Sequence, residues 1–229
     1  MKRFYTRVAV VTEAGGHAVH LDGKPVRTPA RAPLVLPNAR LADAVAAEWA
    51  AQGERIEPAT MPLTGLANAA IDRVAPDPPA FAAGLAAFAR HELLAYRADH
   101  PAALVARQAA VWDPWLAWAS ARYDVAFTVT TGILPVTQPP ATLARLGAAF
   151  AALDPFRLAT LNLAVTIGGS AVLGLALAEG AIDASGVWAT GQLDELWQAE
   201  QWGRDPLAEA GHAERQAALA AAAAFLALL

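Results

Sequence analysis

Leu158 to Ala178 is a run of 21 residues without one charged side chain, and it constrains the fold more than any other stretch. Such a run must leave water, either by crossing a bilayer, for which about 20 apolar residues suffice, or by entering a protein core. Asn162, Thr166, Gly168-Gly169 and Ser170 interrupt it. Gly-Gly followed by Ser reads as a helix stop and a fresh N-cap, not as the middle of a span. The flanks Asp154/Arg157 and Glu179/Asp183 lack a Lys/Arg cluster to orient a span. The expectation is a broken core helix or buried helical hairpin, with membrane insertion of 158–178 the weaker alternative.

The rest of the chain shows what could cover that run. From Phe4 to Leu36 the apolar residues alternate. Arg7 to Thr12 and His17 to Leu21 flank Glu13-Ala14-Gly15-Gly16, a hairpin connection. Asp22-Gly23 turns into a strand over Lys24 to Thr28, and Leu34-Val35-Leu36 makes another. Asn38 is placed to cap a helix ending at Gly53, with Leu41, Val45, Trp49 and Gln52 at helical spacing. After Pro62 the pattern becomes helix punctuated by proline. Thr64 is predicted to cap a short helix to Val74, and Phe81 to Tyr96 to form one amphipathic helix. Asp113-Pro114, Asp154-Pro155 and Asp205-Pro206 repeat an N-cap-then-proline start. Phe127 to Thr130 is the one convincing later strand. The predicted class is α+β: a small β-rich domain over 1–62, then a larger, essentially all-helical domain over 63–229.

Composition excludes several functions. Of 229 residues 56% are hydrophobic and 17% charged, which rules out disorder. Lys plus Arg number 17 against 21 Asp plus Glu, so nucleic-acid binding lacks its basic excess. There is no Cys, hence no disulfide framework, thiolate nucleophile or zinc ribbon. The amino terminus, Met1-Lys2-Arg3-Phe4-Tyr5, shows neither a signal-peptide core nor an Arg/Ser-rich presequence. The chain is therefore expected to stay where it is made.

Catalytic patterns fail one by one. His17 and His20 are three apart on a strand and point to opposite faces. His91-Glu92 lacks the second His of a zinc helix, Gly168-Gly169-Ser170 lacks the lysine of a phosphate loop, and Ser170 has no nucleophile-elbow context. No cofactor, metal or catalytic group is assigned. What stands out is Asp194-Glu195-Leu196-Trp197-Gln198-Ala199-Glu200-Gln201-Trp202-Gly203-Arg204-Asp205. On a helix Glu195, Ala199 and Trp202 share one face, and Leu193, Leu196, Trp197 and Glu200 another. This is either a core helix with solvated acids or an acidic docking surface with an aromatic anchor. Trp112, Trp115 and Trp118 make a second aromatic cluster, mostly core.

One resemblance covers nearly the whole chain. Its pieces are Arg3-Phe4-Tyr5, Leu21 to Ala30 (LDGKPVRTPA), Glu48 to Gly53 (EWAAQG), Met61-Pro62-Leu63-Thr64, Leu66-Ala67-Asn68 and Ile71-Asp72. Tyr96-Arg97-Ala98, Gln108, Trp112-Asp113-Pro114, Gly169-Ser170 and the 194–203 segment follow in order. Together they resemble the assembly chaperones of the ATP synthase catalytic head that handle its α subunit, the ATPase assembly factor twelve family. The resemblance implies a small β-rich domain and a larger helical one, no enzymatic activity, and binding of the free α subunit before the β subunit joins it. It places partner contact on the late helix, at Glu195 first, then Trp202, with Asp194 and Glu200 beside them. Trp49, Trp112 and Asp113 are given structural roles. A missing organelle presequence marks a bacterial, cytoplasmic member, and nothing demands a multimer, so a monomer is expected when free.

Two alternatives stay open on sequence alone. One is a small-molecule enzyme with a site in the inter-domain cleft, using His91, Glu92 or Asp99; the other inserts 158–178 into a membrane. The structural role of Trp49 can be tested directly. Trp49→Arg should lower the melting temperature, because an unpaired charge in a packed site costs several kcal/mol, on the order of 3; an unshifted midpoint in thermal unfolding would count against it.

Overall fold

The computed structural model describes residues 1–203 and 205–229, leaving aside the side chain of Leu207. The chain divides into two compact units, one of 1–78 with 154–160 and 224–229, the other of 79–153 with 161–223.

In the first unit, β1 (Val8–Glu13) and β2 (Gly16–Leu21) form the predicted hairpin, with Val10 opposite Val19 and Glu13 opposite Gly16. β2 also pairs with β3 (Lys24–Pro25) and β4 (Val35–Leu36). Gly16 sits where β4 crosses: a Cβ there would lie 2.3 Å from the carbonyl oxygen of Leu36. The strand expected over Lys24 to Thr28 shortens to two residues, although the Val26 amide still donates to the Val19 carbonyl at 2.8 Å and Arg27 bridges to Pro33. Helix α1 (Ala39–Ala50) starts as predicted, the Asn38 side chain accepting from the Leu41 amide at 2.9 Å. The same side chain donates to the carbonyl of Leu228 at 2.8 Å, tying in the end of α10 (Pro206–Leu228). Helix α6 (Pro155–Gly168) begins in this unit too, where Phe156 stacks on Phe225.

Helix α2 (Pro62–Ala69) differs from expectation. Thr64 does not cap it; the helix opens at Pro62, and Thr64 falls within the first turn. The cap comes from another helix. The Glu48 carboxylate of α1 accepts from the amides of Leu63 and Thr64, each at 2.8 Å, and from the Thr64 hydroxyl at 2.7 Å. Beyond α2 a π turn over Ala70–Val74 brings Asp72 to the Thr28 hydroxyl (2.6 Å) and the Ala30 amide (3.0 Å). Tyr5 closes the unit: its hydroxyl donates to the Trp49 carbonyl at 2.7 Å, and its ring meets the half-buried indole edge-on at 5.8 Å. Trp49 Nε1 is buried without a hydrogen-bond partner.

The second unit is built around α7 (Ala171–Ala178), in which Ala171 to Leu177 are all buried. A helix apolar on every side has to be central; α4 (Ala102–Tyr123), α5 (Pro140–Ala151) and α8 (Ala184–Gly191) pack against it. The uncharged run breaks where predicted. Helix α6 stops at Gly168, Gly169 takes φ +64°, and the Ser170 hydroxyl accepts from the Leu173 amide at 3.0 Å. Among the described residues no helix is long and apolar enough to cross a membrane.

Three local expectations are corrected here. The helix expected over Phe81 to Tyr96 is only α3 (Pro78–Ala86) followed by 3₁₀ turns, and the chain turns out of helix at Glu92. That residue is fully buried and its carboxylate faces the amides of Leu94 (3.4 Å) and Val172 (3.3 Å), so it serves the start of α7. The strand expected at Phe127 to Thr130 is β6 (Thr130–Thr131), parallel to β5 (Tyr96–Arg97), which places a small strand pair within the helical part. Asp113-Pro114 starts no helix: it lies inside α4, and Asp113 instead pairs with Arg97 at 2.6 Å.

Removing the cap that α1 lends to α2 gives a direct check. Glu48→Ala leaves the Leu63 and Thr64 amides unpaired and should destabilise the fold by on the order of 2 kcal/mol in urea unfolding; a loss within a few tenths would show that water replaces the carboxylate freely.

Candidate functional site

Helix α9 (Leu193–Trp202) is the segment singled out from sequence, and its neighbours explain its shape. Asp194 and Glu195 occupy the first turn, where carboxylates complement the amide dipoles. Gly203 ends it at φ +91°, its amide donating to the Ala199 carbonyl. Leu193 is buried, Leu196 and Trp197 are half-buried, and Glu195, Glu200 and Trp202 are exposed. Arg204, part of the same sequence segment, lies outside the described residues.

The four predicted contact residues do not form one uniform surface. Asp194 turns inward and accepts from Gln108 Nε2 at 2.8 Å. Gln108 is buried and its Oε1 takes the Ala98 amide at 2.8 Å, so one side chain joins α9, α4 and β5. Glu195 faces out, with His212 Nε2 at 3.2 Å and an Arg215 nitrogen at 3.8 Å. Glu200 makes a two-pronged pair with Arg107, at 2.5 and 2.8 Å, and that guanidinium lies over the Trp197 ring at 5.6 Å. Trp202 carries the exposure: 79% of its surface is in water, at the carboxyl end of the helix. A helix that carries an exposed indole and two carboxylates paired to cations has the chemistry of reversible protein contact, in which an aromatic anchor supplies affinity and charges supply orientation.

The supporting residues were less visible in the sequence. His212 is largely covered, edge-on to Trp188 at 5.1 Å, with Glu195 and Glu209 at its two nitrogens. Arg107 and Arg215 carried no signal, because their partners lie far along the chain. Trp112 is fully buried, its indole N–H donating to the Thr190 carbonyl at 2.9 Å, and Arg97 lies over its ring at 5.3 Å while reaching Asp113. Trp115 and Trp118 are half-buried, packed edge-on at 6.3 Å.

The residues of the enzymatic alternative do not converge. His91 approaches the Tyr96 hydroxyl at 3.5 Å, Asp99 pairs with His100 in solvent, and Glu92 is sealed beneath α7. Among the described residues no three His, Asp or Glu side chains are grouped as metal ligands.

The comparisons decide the family. The model of the ATP12 chaperone protein family matches residues 2–120. The chain belongs to the ATP12 chaperone family. The crystal structure of Atp12 from Paracoccus denitrificans is 47% identical, covers 99% of this chain and 97% of its own, and superposes with a TM-score of 0.96. An aspartate-to-lysine mutant of the same Paracoccus protein matches with the same figures. The Atu1473 protein of Agrobacterium tumefaciens, a candidate chaperone, is 42% identical over 99% of this chain and 85% of its own, with a TM-score of 0.94. The resemblance to ATP synthase assembly chaperones read from the ordered motifs is therefore met, and both solved relatives are bacterial.

Glu92 makes this ATP12 family member sensitive to pH. Burial pushes its carboxyl up to about 7 from the ordinary 4.5, a rise that the Ser170 hydroxyl and the amides of Val172, Leu94 and Ala171 only partly offset. Between those two values the folded protein keeps a proton that the unfolded chain has lost. Stability from this group is therefore full below about pH 4.5 and falls as pH rises toward 7. Glu92→Gln should flatten the pH dependence of the melting temperature between pH 5 and 8; a variant with the same slope as the parent would place the titration elsewhere.

Proposed function

We propose that this chain binds the free α subunit of the ATP synthase catalytic head and shields its subunit interface until the β subunit takes its place. Family membership supports a chaperone of that assembly, and the choice of α over β rests on the sequence resemblance. An unassembled α subunit exposes an apolar interface prone to self-association. A protein that covers it has to bind reversibly and give way to the larger native contact.

The observation that carries the reading is Trp202, four-fifths exposed on a helix whose other large apolar side chains are at least half-buried. Around it we assign Glu195 and Glu200 as orienting charges and Asp194 as the residue that fixes the helix to Gln108. Trp49, Trp112 and Asp113 act in folding, and the client contact lies within the segment 63–229. The chain carries out no catalysis in this reading and is monomeric when free.

The test is co-purification with isolated α and isolated β subunits, with α aggregation followed by light scattering. A stable complex with α, suppressed scattering and no effect on β are expected; capture of β alone, or of neither, overturns the assignment. Glu195→Lys should keep the fold, because the side chain is over half exposed, and should weaken α binding about tenfold or more. Unchanged affinity in the folded variant would remove Glu195 from the interface.

A further inference from the structure

The loop that follows β6 presents its aliphatic residues to water. Ile133 is 95% exposed, Leu134 77% and Val129 50%, in a protein whose other large apolar side chains are mostly covered. A loose loop would fold such residues back onto the nearest apolar surface, since leaving each in water forgoes the free energy of burial. This one is held open. Gln138, itself buried, grips Thr128 at both backbone groups, accepting from its amide at 2.9 Å and donating to its carbonyl at 3.0 Å. The Gly132 amide donates to the Arg97 carbonyl at 2.9 Å, and the Val136 amide to the Tyr96 hydroxyl at 3.2 Å. Both arms are thus fixed to each other and to β5, and the tip between them points outward.

Its chemistry selects the partner. From Val125 to Ala144 there is no charged side chain. The segment itself offers a charged surface no counter-charge for the hydration it would lose, whereas an uncharged aliphatic surface would gain burial. The frame of the loop is also that of α9. Strand β5 pairs with β6 at Arg97, the next amide, Ala98, is held by Gln108, and Gln108 donates to Asp194. The apolar tip and the acidic, Trp-bearing helix are therefore fixed to one hydrogen-bonded frame within the second unit.

We propose that Ile133 and Leu134 form a second docking point of this chaperone, one that takes an uncharged aliphatic patch of the client's subunit interface, while α9 reads a separate, charged part of it. This rests on the reading of the chain as an α-subunit chaperone. It divides the work: the loop supplies apolar contact where the unassembled subunit is most prone to aggregate, and α9 supplies orientation.

The test is binding of the isolated α subunit by the full chain, by an Ile133→Ser/Leu134→Ser variant and by an Ile133→Val/Leu134→Met variant, with thermal unfolding of each. The serine variant should keep its melting temperature and bind at least tenfold more weakly, and the Val/Met variant should bind as the parent does. Equal binding by the serine variant overturns the proposal while leaving the client reading intact, provided the parent binds and Glu195→Lys does not. A serine variant that loses its fold overturns it as well, because the two residues would then be structural. Failure of the parent to bind α removes both readings together.

Discussion

Helices α2 and α7 begin with Pro62 and Ala171, and buried residues stand in the first turn of each, where an unpaired amide is costly. The structure meets that constraint with carboxylates sent from elsewhere. Glu48 of α1 closes the start of α2, taking two amides and a hydroxyl. Glu92 leaves its own helix to face the start of α7, where it joins Ser170. Each arrangement links elements that local propensity could not bring together, and each consumes an acid that would otherwise look like surface charge.

The second unit depends on the same economy of polar groups. The Gln108 side chain holds β5 through Ala98 and α9 through Asp194, and Arg97, one residue before Ala98, lies over Trp112 and reaches Asp113. Among the described residues, the indole of Trp202 and the aliphatic tip of the loop after β6 stay largely in water, while Glu195 and Glu200 of α9 are paired with cations. A chaperone needs a surface that does not aggregate by itself but accepts an apolar client. On the proposed reading, exposed apolar residues held on a fixed frame, together with paired charges, would meet both demands.

The ordered motifs that carried the family resemblance acquire a physical meaning here. Glu48 meets Leu63 and Thr64, Thr28 and Ala30 meet Asp72, Tyr5 meets Trp49, and Ala98 meets Gln108. They were legible one by one because each is a polar or aromatic residue in an unusual local context. Their pairing was not legible, since the partners lie up to about 44 residues apart. The same distance explains the misread cap and helix: Thr64 has the right chemistry for a cap, but the Glu48 carboxylate closes α2 from 15 residues back, and Phe81 to Tyr96 has the right spacing for one helix, but Glu92 leaves it to face the Val172 amide 80 residues on. Arg107, Arg215 and the covered state of His212 escaped for the same reason.

The sequence by itself determined the alternating hairpin, the Asn38 cap, the break at Gly169-Ser170 that turns an uncharged run into two buried helices, and the family. These follow from short-range physics, in which a backbone angle, a cap or a periodicity is set within a few residues. Only the tertiary structure decided that Asp194 is an inward strut while Glu195, Glu200 and Trp202 face out, and that Ile133 and Leu134 are held in water. Those outcomes depend on which buried polar group finds which partner across the fold, a competition whose winners are far apart in the chain.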